Sequence, residues 1–480
     1  MNTAIVWFRR DLRLVDNPAL NLALESCERV IPLYIHSPEE EAPWQPGAAS
    51  NWWLHHSLRC LDRSLRALGS GLVVLRGGSL EALRAVARRS AVTHVYWNRL
   101  YEPASVARDR AIKQGLREDG LRAESCNGSL LFEPWEVRTG DGGPFRVFTP
   151  FWKACLRKRP QARPLAPPQG IPAVPAGLGS LALDELRLLP VTPWDAGLAE
   201  SWKVGETAAA ESVDRFLDQG LAVYDEGRNR PGIRGTSRLS PHLHFGEISP
   251  RSLLSAVGAR APDPGETAGG TGPGVFLSEI GWREFAHHLV YHFPHTPDAP
   301  MDRRFEDFPW AADYQQDLAH WQAGRTGIPI VDAGMRELWQ TGWMHNRVRM
   351  IVASLLTKNL LVPWQEGARW FWDTLVDADL AANSLGWQWT AGCGADAAPY
   401  FRIFNPVLQG ERFDPDGAYV RRWVPEIAGL PKRFLHKPWE APADARLEAG
   451  VALGESYPKP LVDLKESRKR ALERFARIKA

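Results

Sequence analysis

Cysteine is scarce in this chain of 480 residues. The five present, Cys27, Cys60, Cys126, Cys155 and Cys393, are scattered and never fall in a CxxC spacing. That argues against a zinc site or a disulfide framework and points to a reduced, cytoplasmic protein. No window approaches eighteen uninterrupted apolar residues, so no membrane span is expected. The opening MNTAIVWFRRDLRL lacks the basic segment, long apolar run and small-residue cleavage site of a signal peptide. An excess of charge is missing as well: 58 Lys and Arg against 56 Asp and Glu leave a net charge of +2. Global charge therefore announces no nucleic-acid partner, and only a local basic patch could serve one. Tyrosine is sparse at 9, but tryptophan reaches 21. Ten of the tryptophans fall between Trp282 and Trp389. Most must build an aromatic-rich core, and the useful question is which few do not.

The first part of the chain alternates. AIVWF (4–8), RVIPLYI (29–35), GLVVL (71–75) and THVYW (93–97) are short runs rich in Val, Ile and aromatics. Helical patterns lie between them, at 51–68 and 79–89. This order predicts a parallel sheet flanked by helices, an α/β domain of Rossmann-like type. No Gly-rich phosphate fingerprint follows the first strand; RRDLR stands there instead, so a dinucleotide site at that turn is not supported. Residues 159–193 hold eight prolines and no sustained period, which reads as a connector. From about 200 onward the patterns are mostly helical, interrupted by loops such as APDPGETAGGTGPG (261–274), expected to be flexible. The predicted division is 1–131 α/β, 132–199 connector and 200–480 helical. The last stretch, LKESRKRALERFARIKA, reads as a basic helix on the solvated surface, with a DNA-facing role as the alternative.

Four segments carry polar groups where a simple core or a simple surface would not. On a helical wheel of TGWMHNRVRMIVASLL (341–356), Met344, Val348, Ile351, Val352 and Leu355 form an apolar stripe, while Asn346, Arg349 and Met350 share the opposite face. A buried network joining helices would give this pattern; so would the wall of a polar pocket with a soft side chain at its mouth. In FLSEIGWREFAHHLVYH (276–292), Glu279, Trp282 and Arg283 share a face. A carboxylate beside a flat aromatic can bind a base, although a plain Glu279–Arg283 pair would look the same. In YDEGRNRPGIRGTSRLSPHLHFGEISPR (224–251), Arg228, Arg230, Arg234 and Arg238 surround a turn in which Gly235, Thr236, Ser237 and Ser240 could cradle a phosphate. In DLAANSLGWQWTAGCG (379–394), Asp379 and Asn383 lie at i, i+4, with Trp387 one turn on if the helix persists past Gly386. Asp377 and Asp379 find no His or third carboxylate at metal-ligand spacing nearby, so no metal is expected.

Taken together these segments resemble the photolyase/cryptochrome flavoproteins, and among them the cyclobutane pyrimidine dimer DNA photolyases. The resemblance spans nearly the whole chain. It begins with VWFRRDLRLVDNPAL (6–20), YEPASVARD (101–109) and VFTPFWKA (147–154). It is densest across GTSRLSPHLHFGEISPR, EIGWREFAHHL, GRTGIPIVDAGMRELWQTGWMHNRVRM, DADLAANSLGWQW and DAAPYFRIFNP. It implies an N-terminal α/β domain able to hold a light-harvesting antenna and a C-terminal all-helical domain that binds FAD and DNA.

The resemblance also implies roles. Tyr224, Thr236, Ser237, Arg238, Leu239 and Ser240 match the segments that hold the FAD ribityl and diphosphate. Asp377, Asp379, Arg283 and Arg349 match residues around the flavin, with Arg349 pairing Asp377, and Asn383 matches the residue facing flavin N5. Glu279, Trp282, Asn346, Arg347, Met350 and Trp389 match the pocket of the pyrimidine dimer, and Arg228 a DNA-backbone contact. Trp387, Trp364 and Trp310 match three tryptophans that relay an electron to the flavin; the Trp310 match needs a one-residue shift relative to Trp321. A histidine pair replaces Asn346 and Met350 in photolyases of (6-4) lesions, which argues against that substrate. Phe276 stands where the family has a tryptophan. Ala104 and Ser105 follow YEP where some folate-binding members carry Asn-Glu. The antenna is therefore methenyltetrahydrofolate in another pocket, a deazaflavin, or absent. PGAASNWWLHHSL looks more like the class III members close to plant cryptochromes. The expected function is light-driven repair of pyrimidine dimers in DNA by a monomer, with a signalling cryptochrome as the alternative. Asn383, the intact dimer-pocket residues and the lack of a long disordered tail speak for repair.

Overall fold

A computed structural model describes residues 2–158, 163–261 and 270–478. Five parallel strands, β1 (Thr3–Phe8), β2 (Arg29–His36), β3 (Val73–Arg76), β4 (His94–Asn98) and β5 (Arg122–Cys126), pair in the order β3-β2-β1-β4-β5. Helices α1 (Pro18–Ser26), α2 (Ala48–Ala67), α3 (Ser79–Arg89) and α4 (Pro103–Glu118) are the crossovers. β1 is buried at every position, as a central strand covered on both faces must be. Its side chains alternate between two cores: Ala4, Val6 and Phe8 on one face, Ile5 and Trp7 on the other. Helix starts follow local chemistry. Asn17 accepts from Leu20 N ahead of Pro18, and Ser249 accepts from Ser252 N ahead of Pro250.

The four strand runs read from the sequence are strands, and the fold is α/β followed by a mostly helical part. β5 was not anticipated. Its sequence, RAESC, has no β-branched residue and only one fully buried position, because it lies at the sheet edge. The proline-rich part of the connector, where described, lies along the α/β half: Ile171 N donates to Leu68 O and Leu181 N to Val74 O, whereas Phe148–Lys158 form a helix that packs on the Gly272–His292 helix. Most of the 261–274 loop falls outside the described residues, and Gly272–274 already belong to the Gly272–His292 helix, capped by Thr271. The basic terminal helix spans Leu464–Arg477 and is not wholly solvated: Ser467 and Ala471 are buried, and Arg470 donates to Asn359 O. The helix read over 341–356 begins at Asn346, since Gly342 takes a left-handed φ of 66° and His345 caps the helix. Met344, placed on the core stripe, is buried in the lead-in instead.

RRDLR is a cluster of largely buried arginines at the domain junction. Arg9 pairs with Asp109, and Arg10 with Glu102. Arg13 donates to the carbonyls of Asp16, Gly128 and Gly246, the last from the helical half. Where a nucleotide-binding fold would place a glycine turn, this chain spends two arginines on bracing the α/β half and a third, Arg13, on tying it to the helical half.

Candidate active site

One cavity of about 550 Å³ opens within the helical half, inside the size range of cofactor and ligand sites. Four segments converge on it. From the first come Tyr224, Arg228, Thr236, Ser237, Arg238 and Ser240; from the Gly272–His292 helix come Glu279, Trp282 and Arg283. The Asn346–Ser354 helix contributes Asn346, Arg347, Arg349 and Met350. Asp377, Asp379, Asn383, Trp387 and Trp389 come from the Leu380–Ala391 helix and its lead-in. Three residues named from the resemblance do not line it. Leu239 is buried in the packing beneath the turn, Trp364 is buried in the helical core, and Trp310 packs on Phe308.

The turn is shaped by contact between two backbones. A Cβ on Gly235 would meet Gly227 O at 2.3 Å, so Tyr224 and the Thr236–Arg238 segment are drawn to one edge. Arg238 takes a left-handed φ of 55°. Its guanidinium lies between the Trp202 and Trp343 rings, 4.2 and 4.9 Å from their centroids, and its Nε is buried without a hydrogen-bond partner. A half-buried arginine with an idle, buried Nε–H beside three hydroxyls is a donor set suited to a diphosphate. Arg230 pairs with Asp416 on the surface and does not line the cavity; nor does Arg234. The helix that follows the turn is only five residues long.

Opposite this cradle, Arg349 Nη2 donates to both oxygens of Asp377, at 3.0 and 2.8 Å, while its Nε donates to Met344 O. Asp379 caps its helix by accepting from Ala382 N at 2.8 Å. Burial works against its carboxylate, yet His287 and His244 hold its pKa well below the usual aspartate range. Asn383 Nδ2 donates to Ala368 O at 3.0 Å, which leaves its amide oxygen free to accept. Trp387 lies flat against Gly367, where an added Cβ would come within 2.0 Å of the indole. Its ring neighbours are Phe371 at 5.0 Å and Trp321 at 6.1 Å.

At the mouth, Glu279 pairs with Arg228 at 2.6 Å, not with Arg283, whose Nη1 donates to Ser129 O. Burial raises the Glu279 pKa and Arg228 pulls it back. Trp282 stacks on Phe148 at 3.9 Å with the planes 10° apart. Arg347 donates to Asn229 Oδ1 at 2.5 Å and lies 4.4 Å from the Phe413 centroid.

Several participants were invisible to local reading. Phe148 props Trp282 from more than a hundred residues away, and only its place in VFTPF hints at it. Glu102, His287 and Asp379 bring ligand atoms within 4.8 Å of one another across the domain junction. Local spacing around Asp379 could not show that group. Arg10 already neutralises Glu102 there at 2.7 Å.

A smaller cavity of about 60 Å³ lies at the C-terminal ends of β1 and β2, between Trp7, Arg9, Tyr34 and Arg108 and the helical half's Trp372. Crevices at the carboxyl ends of parallel strands are the usual ligand positions of such sheets.

Residues 4–172 match the family model of DNA photolyase, and residues 276–477 that of the FAD binding domain of DNA photolyase. A deoxyribodipyrimidine photo-lyase of Agrobacterium fabrum is 48% identical, over 99% of this chain and 98% of the relative. Cryptochrome-2 of Arabidopsis thaliana is 41% identical, over 99% of this chain and 79% of its own length. The crystal structure of a bacterial class III photolyase from Agrobacterium tumefaciens superposes with a TM-score of 0.94 at 47% identity, covering 100% of this chain and 98% of that one. The chain therefore belongs to the DNA photolyase/cryptochrome family of FAD-binding proteins.

Proposed function

We propose that this protein is a deoxyribodipyrimidine photo-lyase that repairs cyclobutane pyrimidine dimers in DNA with FAD and blue light. The observation that carries this reading is the continuity of the cavity. The diphosphate cradle, the Asp377–Asn383 edge and the Glu279/Trp282/Trp389 mouth belong to one space. When bound and reduced, FAD supplies the photoexcited electron that splits the cyclobutane ring.

The chain's own residues do the rest. Thr236, Ser237, Arg238 and Ser240 hold the diphosphate. The Arg349–Asp377 pair and Asp379 would border the flavin ring, and Asn383, its amide turned by Ala368 O, would offer an oxygen to N5 and so favour a protonated N5. Trp387, which lines the cavity, would hand the flavin an electron relayed through Trp364 and Trp310. Flipping a damaged, poorly stacked pyrimidine pair out of the duplex costs only a few kcal/mol, and photolyases are a standing example of base flipping. Trp282, with one face already covered by Phe148, offers the other to the lesion, and Trp389 faces it. Glu279 hydrogen-bonds the bases and steadies charge that develops on them. Asn346 and Met350 complete the pocket, while Arg228, Arg347 and the neighbouring arginines hold the phosphates without reading sequence. All these residues lie in one chain, so a monomer suffices. The small cavity beside the sheet is too tight to enclose methenyltetrahydrofolate or a deazaflavin, and no step is assigned to an antenna.

Fluorescence anisotropy with the FAD-loaded protein tests the reading. A dimer-containing oligonucleotide should bind at least tenfold tighter than the undamaged one. Equal affinities would favour a signalling cryptochrome.

A further inference from the structure

The loop from Gly392 to Arg402 leaves the Leu380–Ala391 helix just after Trp389 and ties together both aromatic walls of the mouth. Ala398 N donates to Trp389 O at 3.3 Å. Asp396 accepts from Phe148 N at 3.1 Å, and Phe148 is the ring behind Trp282. The far end of the loop delivers Arg402 to a surface groove with Arg347, Arg412 and Phe413. That groove continues into the main cavity through Asn229 and Arg347, which line both.

This far end is held by Lys358, a residue the mechanism does not use. Lys358 is 1% exposed and sits in a π-helical turn, Leu355–Asn359, a distortion frequent at functional sites. Its Nζ donates to Tyr400 O and to Arg402 O, both at 3.2 Å. The groups that face it are the Cys393 thiol, the Arg402 guanidinium and the Tyr400 ring, whose centroid is 5.0 Å from Nζ. From the terminal helix, Arg470 donates to Asn359 O and Arg474 to Pro309 O; Asp302 bears on Cys393. No carboxylate pairs with Lys358 among the described residues. A neutral amine has two hydrogens, and two carbonyls receive them. An ammonium's third hydrogen would find no oxygen acceptor among the described contacts, only the weaker attraction of the Tyr400 ring. Burial lowers the Lys358 pKa to about 7, with Arg402 adding to the shift and Cys393 opposing it.

We propose that Lys358 is a positioning residue that holds the Tyr400–Arg402 end of the loop as a neutral amine, and that taking up a proton loosens it. The consequence for DNA rests on the photolyase reading above. The sign follows from linkage. The closed loop binds the proton with the lowered pKa, whereas an opened loop wets the amine and returns it toward about 10.4. The open form therefore binds the proton more tightly, so opening grows as pH falls and levels off below about 7.

Limited trypsin cleavage after Arg402 reads the loop directly. Rates are measured on the FAD-loaded full chain at pH 8.5 and pH 6, for wild type and for Lys358→Met, which cannot take up a proton. The wild-type rate divided by the variant rate cancels the protease's own pH dependence. That ratio should rise several-fold from pH 8.5 to pH 6, and a constant ratio would overturn the proposal. Should Lys358→Met fail to fold, wild-type cuts after Arg402 are counted against cuts after the exposed Lys203, with the same two outcomes. Affinity for a dimer-containing oligonucleotide at both pH values separates the two claims. A parallel loss of affinity at pH 6 in wild type alone supports a DNA-facing loop. A cleavage response without an affinity response overturns that part and leaves the Lys358 contact standing. Failure to prefer dimer-containing DNA at either pH counts against the photolyase reading and not against Lys358.

Discussion

Glu279 and Arg228 form a pair at 2.6 Å across the cavity mouth, and the proposed function gives each a task toward DNA as well. When the lesion enters, Glu279 must turn at least part of its hydrogen bonding to the bases. Glu279→Ala should cut repair yield several-fold while FAD content stays unchanged, measured as dimers repaired per photon absorbed. Arg228→Ala should weaken DNA binding and flatten its dependence on salt, by about one unit in the slope of log affinity against log salt if one phosphate contact is lost. Arg349 is a different case. Removing it leaves the buried Asp377 carboxylate unpaired, at a cost of about 3 kcal/mol, so Arg349→Ala should lower both thermal stability and retained FAD.

At the scale of elements, the approach of two helices seats Trp387, the first tryptophan of the proposed relay. The Trp364–Thr374 and Leu380–Ala391 helices meet where Trp387 lies on Gly367, and a methyl group there has no room. Gly367→Ala should destabilise the protein by about 1–3 kcal/mol through overpacking, read as a lower unfolding midpoint. Trp387→Phe keeps an apolar aromatic ring at the site and removes the donor. It should stop photoreduction of oxidised FAD while repair by chemically reduced protein persists, which separates relay from repair. The helix faces were legible in the sequence for a simple reason. Glu279, Trp282 and Arg283, like Asn346, Arg349 and Met350, are spaced at helical period, and that period decides which residues look into the same space. The edge strand β5 was not legible, because an edge position relaxes the demand for buried β-branched residues. The ring partners of Trp387 were not legible either. Phe371 and Trp321 reach it from two other helices, and spacing along one helix carries no news of them.

Over the whole molecule, the two halves are joined by charged contacts as well as by apolar packing. Arg10 and Glu102 of the α/β half approach His287 and Asp379 of the helical half, next to the cavity that we assign to the flavin. Motifs recognised one by one named most of the residues that line the main cavity. Their continuity as a single cavity, and the props behind them such as Phe148 and Lys358, depend on contacts between residues far apart in the chain. The central claim is that this one cavity brings an excited flavin and a pyrimidine dimer together. The most direct measurement illuminates the chemically reduced, FAD-loaded protein with blue light beside an oligonucleotide carrying one cyclobutane thymine dimer, with a dark control. The account predicts intact thymines in the light and none in the dark. A flavin that photoreduces normally but leaves the dimer intact, in single and double strands alike, would contradict it.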